Sequence, residues 1–322
     1  MNLATPSMVK QGYDADRVRA DFPVLSELVY GKPFTFLDSA ASAQKPQVVI
    51  DRVRQAYEQD YATVHRGIYK FSGEMTEAYE QARETTARFI NAKSDKEIVF
   101  VRGATEGINL VATSWGSLLE PGDEIILTEM EHHSNIVPWQ LLQERQGIVL
   151  KIAPITDDGA LDHDAFEALL GPKTKLVAIT HMSNVLGTIV DIKRVTKAAH
   201  AVGAKVLVDG CQAAPRMPVD VQDLDCDFYV FSGHKVYGPT GIGALWARYE
   251  ILDAMPPYHG GGSMIEEVRF DKTTFLEPPL KFEAGTPNFV GTIGMATALD
   301  YVSSLGLDAI HAHEEDLLLY AE

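Results

Sequence analysis

The sequence has 322 residues, of which 46% are hydrophobic and 23% are charged, a balance typical of a soluble globular protein with one large or two ordinary domains. The formal net charge of −17 argues against a nucleic-acid-binding surface, and we expect neither a signal peptide nor a membrane-spanning segment. The two cysteines, Cys211 and Cys226, cannot make a disulfide framework, so we expect a protein of the reducing cytoplasm.

The first part of the chain has a mostly helical pattern. Hydrophobic periodicity predicts helices over 15–22, 47–57 and 74–90, a strand over 34–38 and an irregular polar and aromatic segment over 61–72. Pro46 precedes the second helix, where its missing N–H costs nothing. The small residues at 39–43 follow the strand and would let a backbone or a ligand come close.

From residue 97 onward, short apolar runs alternate with helical patterns. The runs predict strands over 97–101, 123–128, 149–153, 176–180, 206–209, 228–231 and 241–246. Helices are predicted over 162–170, 192–201, 289–305 and 308–322, and a loop with a hairpin over 258–275. This alternation predicts an α/β fold with a mostly parallel, doubly wound sheet, whose last strand is a candidate for antiparallel pairing.

Two side chains at neighbouring strand ends have complementary chemistry. Asp209 ends one buried strand and Lys235 follows the next, so both fall at the sheet edge where ligands bind. A lysine can form a Schiff base with the aldehyde of pyridoxal phosphate (PLP), and a carboxylate can keep the pyridine nitrogen protonated. Gln212 is placed to donate to the phenolic oxygen of the ring. Alone, a lysine after a strand is usually a solvated loop residue and an aspartate a turn former. Their combination, within SGHK and YGPTGIG, predicts a PLP site.

A phosphate site is predicted at the same sheet edge. Ser232 and His234 flank the lysine, where they could grip a phosphate. The turn at 102–109 follows a strand, and its glycines, Ala104 and Thr105 would supply backbone N–H groups and a hydroxyl at the positive end of a helix. An ordinary helix cap by Thr105 is the alternative interpretation.

The adjacent histidines His132 and His133 suggest a metal site at first sight. Side chains at i and i+1 diverge, however, and no further ligand lies at usable spacing, so we predict no metal. His132 is instead a candidate for stacking on an aromatic cofactor ring. Asn184 falls at the same sheet edge as Asp209 and Lys235.

A series of ordered motifs runs from about residue 17 to the last residue: RVRADFPVL, LDSAASAQKP, VHRGIY, VRGATEGIN, MEHHSNIVPWQ, THMSNVLGT, VDGCQA, FSGHKVYGPTGIG and FEAGTPN. In these motifs the chain resembles the group II (SufS-like) cysteine desulfurases, which belong to the aminotransferase class V superfamily and have the PLP fold type I. The resemblance implies three divisions of the chain: an N-terminal arm over 1–33, a PLP-binding large domain over 34–288, and a linking helix with the start of an incomplete small domain over 289–322.

The resemblance also implies a role for each candidate residue. Lys235 would carry the cofactor and move the substrate α-proton, Asp209 would hold the pyridine nitrogen and Gln212 the ring oxygen. His132 would stack on the ring, and Ala104, Thr105, Ser232 and His234 would hold the phosphate. His65 would act on the substrate side and Asn184 would lie near the substrate carboxylate. Thr286 would reach a phosphate in the other subunit of a homodimer.

The implied reaction converts L-cysteine to L-alanine. A family cysteine takes the sulfur as a persulfide, which passes to a SufE-type acceptor protein for iron–sulfur cluster assembly. Family members carry this cysteine and a substrate-binding arginine in a C-terminal small domain, and neither segment occurs in this sequence. We interpret Cys211 and Cys226 as packing residues, since free cysteine is commonly buried. The last helical pattern lacks a stop signal, so we expect the sequence to be cut short and its turnover to be weak or nil.

Other activities fit part of the pattern. A selenocysteine lyase of the same family would need no added persulfide, and a PLP-binding scaffold for a sulfur acceptor would need no chemistry. An aminotransferase is disfavoured by the combination of VHRGIY with MEHHSNIVPW.

Overall fold

A seven-stranded sheet lies at the centre of the computed structural model, which describes residues 13–65 and 67–321. The strands in chain order are β1 (Leu28–Val29), β2 (Lys32–Pro33), β3 (Ile98–Val101), β4 (Glu124–Thr128), β5 (Val149–Ala153), β6 (Thr174–Thr180), β7 (Lys205–Asp209), β8 (Phe228–Ser232), β9 (Gly243–Ala247), β10 (Ile265–Val268) and β11 (Thr273–Phe275). The central sheet has the order β3-β9-β8-β7-β6-β4-β5. Its strands are parallel except for β9, which runs antiparallel to both β8 and β3.

Helices connect the strands and cover both faces of the sheet. They are α1 (Ala15–Ala20), α2 (Gln47–Glu58), α3 (Lys70–Phe89), α4 (Ala104–Thr113), α5 (Val137–Gln146), α6 (His163–Leu169), α7 (Ile192–Ala201), α8 (Val221–Leu224), α9 (Tyr249–Ala254), α10 (Phe289–Leu305) and α11 (Leu307–Ala321). Several begin at a side chain that accepts from the first turn, as Asp162 does for α6, Asp191 for α7 and Asn288 for α10.

Both faces of the sheet are buried because neighbouring residues of one strand enter different cores. In β7, Val206 and Val208 pack into one hydrophobic cluster, whereas Leu207 packs into the other. This explains why β7 is a continuous apolar run rather than an alternating one. A third cluster joins α10 to α2 and α3 beside the sheet. In the described parts of the chain, no helix combines the length and apolar character needed to cross a membrane.

The predicted α/β class is confirmed, including the antiparallel strand after Lys235 and the hairpin formed by β10 and β11. The predicted strand over 34–38 is wrong. That segment has no regular secondary structure and pairs with no strand of the described chain, and its start is held by bonds of the Phe34 backbone with Glu27 and with the Arg19 guanidinium. The division at 33 and 288 stays a prediction, and residues 1–12 of the predicted arm lie outside the described residues.

Candidate active site

A cavity of about 480 Å³ lies at the carboxyl ends of the central parallel strands. Its lining consists of Asp38, Ala40, Ala41, Ala104, Thr105, His132, Ser134, Thr180, Met182, Asn184, Asp209, Cys211, Gln212, Ser232, His234 and Lys235. The structure therefore brings together most of the candidate residues, which come from distant parts of the sequence. The sheet edge accounts for this, since β6, β7 and β8 are parallel neighbours and end side by side.

Asp209 and Lys235 both line the cavity. Asp209 is the last residue of β7 and is 5% exposed, and its Oδ1 accepts the backbone N–H of Cys211 at 3.0 Å. Lys235 ends the short 3-10 turn Gly233–Lys235 that follows β8. A buried carboxylate and a lysine thus face one cavity from adjacent strands, as the sequence predicts.

One wall of the cavity is formed by the turn that begins α4. Ala104 is the first residue of α4, and its N–H donates to the Ser232 Oγ at 2.9 Å. Thr105 and His234 line the same part of the cavity. A helix start, two hydroxyl groups and an imidazole therefore converge, and such a group of donors suits a phosphate.

The backbone packs tightly behind this turn. A Cβ atom on Gly243 of β9 would lie 2.6 Å from the Phe231 carbonyl oxygen and 2.7 Å from the Gly103 Cα. Only a residue without a side chain allows β9 to approach the turn this closely.

His132 lines the cavity at the start of the 3-10 turn His133–Asn135. Its Nδ1 lies 2.8 Å from the Ser134 Oγ and accepts the Ser134 N–H at 3.1 Å. Burial lowers the pKa of the imidazole, and the positive charge of Lys235 lowers it further. A neutral imidazole, held through its Nδ1, can present a flat face to an aromatic ring.

Gln212 is already engaged by the protein. Its Nε2 donates to the Ala40 carbonyl at 2.8 Å, and its Oε1 accepts from Arg216 at 2.8 Å. The amide thereby ties the segment 38–43 over the cavity. An amide nitrogen carries two N–H groups, so a second donor remains for a ligand.

Two of the candidate residues do not line this cavity. The His65 Nε2 lies 2.8 Å from the Glu80 Oε1, and its ring packs edge-on against Tyr79. Thr286 borders a separate cavity of about 410 Å³ together with Tyr258 and Glu283. The structure places neither beside Lys235, so their roles stay predictions. Asn184, in contrast, lines the main cavity from its exposed rim.

The two cysteines are buried. Cys226 is fully buried in the core, and Cys211 is 8% exposed, with its Sγ 3.6 Å from the Ser232 Oγ. Burial raises the pKa of both thiols, so both are protonated at neutral pH.

Sequence reasoning missed some residues of the site. Lys45 donates to the carbonyl oxygens of Ala43 and His234 and so holds the segment 38–43. Glu131 lies buried directly before His132. The small residues at 39–43 signalled a close approach, but no local pattern identified either charged residue, because each has one partner that is distant in sequence, His234 for Lys45 and Thr180 for Glu131.

Comparison with known proteins gives a consistent result. The family model for aminotransferase class-V matches residues 35–322. A cysteine desulfurase of Dickeya dadantii (strain 3937) is 57% identical over 311 residues, which is 96% of this chain and 76% of the relative. The apo structure of a cysteine desulfurase from Thermococcus onnurineus NA1 is similar with a TM-score of 0.91 and 38% identity, covering 97% of this chain and 76% of that one. A mutant of C-DES with glycine covalently linked to its PLP cofactor is similar with a TM-score of 0.80 and 25% identity, covering 91% and 76% of the two chains.

Proposed function

The chain belongs to the aminotransferase class-V family and, within it, to the cysteine desulfurases. From this premise we propose a role for each residue of the cavity. It is a PLP-dependent enzyme that acts on cysteine. The observation that carries the residue assignment is the meeting of Asp209 and Lys235 in one cavity, at the ends of adjacent strands.

The residues of the cavity fit PLP, whose phosphate, ring nitrogen and aldehyde each need a different partner. We propose that Ala104, Thr105, Ser232 and His234 hold the phosphate, Asp209 the ring nitrogen, Gln212 the ring oxygen, and Lys235 the aldehyde carbon. His132 would cover one face of the ring. When bound, PLP supplies a carbonyl for the substrate amine and an electron sink that makes the α-proton acidic.

The burial of Asp209 gives its charge a strong effect. At 5% exposure the carboxylate is largely removed from water, so it interacts more strongly with a positive ring nitrogen than it would in solvent. The bond from the Cys211 N–H to its Oδ1 fixes its orientation.

Lys235 is the proposed acid and base. Its Nζ would take the proton from the α-carbon of the substrate and later return it. The short turn that carries Lys235 is held by the Gly238 N–H, which donates to the Gly233 carbonyl at 2.9 Å. This bond limits the movement of the backbone while the side chain swings.

We propose that neither Cys211 nor Cys226 accepts the sulfur. A nucleophilic thiol must reach the substrate as a thiolate, whereas these two are buried and protonated. We also propose that the sulfur passes to a SufE-type acceptor for iron–sulfur cluster assembly and that the protein acts in the cytoplasm. We further propose a homodimer, in which Thr286 reaches the phosphate in the partner subunit and His65 acts on the substrate side. The place of Thr286 outside the main cavity supports a role across subunits.

The test compares Lys235→Ala and Asp209→Asn with the exposed control Lys197→Ala. We expect Lys235→Ala to lose the visible absorbance of lysine-bound PLP and all alanine formation from L-cysteine, measured with an added thiol that takes the sulfur, since neither cysteine of the chain is proposed to do so. Asp209→Asn should retain the absorbance but lose activity by at least about a hundredfold, because the ring nitrogen loses its charged partner. Full activity of either variant would refute the assignment. The same assay with L-selenocysteine separates a lyase from a desulfurase, and no product from either substrate despite a bound cofactor would favour a scaffold.

A further inference from the structure

Glu131 is a buried carboxylate, 7% exposed, that takes no part in the roles described above. Its Oε1 accepts the Thr128 hydroxyl at 2.6 Å and the Thr180 backbone N–H at 3.0 Å. Its Oε2 accepts the Asn135 Nδ2 at 2.7 Å. The Asn135 Oδ1 in turn accepts the Trp139 Nε1 at 3.1 Å. The carboxylate is therefore the centre of a buried hydrogen-bond network.

This network fills a gap between two strands. The register of β4 with β6 runs from Glu124 opposite Thr174 to Ile126 opposite Val177, and it does not reach the strand ends. Thr128 and Thr180 are those ends, and the Glu131 carboxylate connects them in place of direct backbone pairing. The gap adjoins the cavity, because Thr180 lines it.

Two proposed cofactor residues, Asp209 and His132, adjoin the network. Thr180 is the Cα partner of Asp209 in the register of β6 with β7, and the next N–H, that of His181, donates to the Asp209 carbonyl at 2.9 Å. On the other side, His132 follows Glu131 directly in the chain. A shift of the Glu131 carboxylate would therefore move both His132 and Asp209.

Burial of an ionised carboxylate at this position costs free energy. Burial raises the pKa of Glu131 to about 7, and the negative charge of Asp209 also raises it, while the bonds from Thr128, Asn135 and Thr180 lower it. Charge-assisted bonds are shorter and stronger than neutral ones, so a carboxylate fixes its donors more firmly than an amide would.

We propose that Glu131 is a positioning residue for the desulfurase reaction, which holds the end of β6 and the backbone of His132 in a fixed relation across the cavity. The proposal rests on the proposed roles of His132 and Asp209. It predicts that a change in hydrogen bonding at Glu131 alters the cofactor environment, although Glu131 does not line the cavity.

The substitution Glu131→Gln tests this with little change in volume. The new amide nitrogen would face the Asn135 Nδ2, so two donors would meet. Rotation of the Asn135 amide would only move the conflict to the Trp139 Nε1, which is also a donor. We expect kcat to fall on the order of tenfold, with a shifted visible absorbance of bound PLP and a smaller change in KM.

The double substitution Glu131→Gln with Asn135→Asp again gives every donor of the network an acceptor. The new carboxylate can accept both from the new amide and from Trp139, while the new amide oxygen still accepts from Thr128 and Thr180. The net charge is that of the unchanged chain. We expect the absorbance band and kcat of the double variant to return to within about threefold of the original values.

Glu129→Gln is the matched control, since Glu129 is exposed and its Oε2 accepts the Ile155 N–H at 3.0 Å, which an amide oxygen can also do. An unchanged band and kcat in Glu131→Gln would overturn the proposal, and so would a double variant that stays as impaired as the single one. Failure of the proposed function is distinguishable, because then the unchanged chain itself would show no band that depends on Lys235.

Discussion

The Lys45 ammonium group donates to the main-chain carbonyl oxygen of His234 at 3.0 Å and to that of Ala43 at 2.5 Å. The Ala43 N–H also donates to the His234 carbonyl, at 3.1 Å. These bonds fasten the irregular segment 38–43, which covers the cavity, to the turn that carries Lys235. The segment pairs with no strand of the described chain, so these side-chain and main-chain bonds hold it in place instead of the backbone pairing of a sheet.

Lys45 should make stability depend on pH. Burial lowers the pKa of its ammonium to about 8, from an ordinary value of 10.5. Between these two values the unfolded chain binds more protons at this site than the folded protein, so the contribution of Lys45 to the free energy of unfolding rises with pH across that window. We expect Lys45→Met to show a smaller increase in this free energy between pH 8 and pH 10 than the unchanged chain. Denaturant unfolding at both pH values measures the difference.

The exposed Lys197→Met is the control for this comparison. An identical pH dependence in Lys45→Met and the unchanged chain would mean that Lys45 is not desolvated by the segment it holds.

Removal of one partner from the buried ion pair of Arg83 with Glu283 should be strongly destabilising. The Arg83 Nη1 and Nη2 lie 2.7 and 2.9 Å from the two Glu283 oxygens, and the two side chains are only 2% and 6% exposed. Arg83→Met would leave the carboxylate buried with its backbone and tyrosine donors alone, at a cost of about 3–5 kcal/mol. Denaturant unfolding measures the loss.

The exposed pair of Arg88 with Asp300, at 68% and 60% exposure, provides the matched control. Arg88→Met should cost only about 0–1 kcal/mol. Equal losses in the two variants would contradict the importance of burial.

Gly243→Ala should damage both stability and cofactor binding. The added Cβ would meet backbone atoms of Phe231 and Gly103, which cannot rotate away as side chains can. We expect a loss of about 1–3 kcal/mol in unfolding free energy and weaker PLP binding, because Gly103 begins the turn that presents Ala104 and Thr105. Thermal unfolding and titration with PLP measure the two effects. Gly171→Ala, where an added Cβ has no neighbour within 4 Å, should change neither.

The thiols of Cys211 and Cys226 should be inert in the folded protein. Both are buried, and burial raises the pKa of each, so little thiolate is available. We expect a thiol-specific reagent to label both sites only after denaturant is added. Rapid labelling of either thiol in the native protein would reopen the question of a sulfur acceptor among them.

The elements that local patterns predict well are those buried on both sides or capped at their start. Helices α7 and α10, each capped by a side chain at its start, have the predicted bounds, and the buried strands β7 and β8 differ from theirs by one residue each, because a buried apolar run or a capped periodic segment is determined by its own residues. The segment 34–38 has the same apolar pattern as a strand, but whether it pairs depends on what lies beside it. Lys45 and Glu131 were missed for a related reason. Their donors and acceptors include His234 and Thr180, which the fold, and not the sequence spacing, brings near.

The antiparallel strand β9 has a consequence for synthesis of the chain. Among residues 13–65 and 67–321, β3 pairs with β9 alone, and Ile98 lies opposite Trp246. A nascent chain on the ribosome therefore exposes β3 as an unpaired edge until nearly all of the sheet has been translated. The turn after β3, which we propose to hold the phosphate, can be assembled only then, so we expect the newly made protein to become able to retain its coenzyme late in its own synthesis.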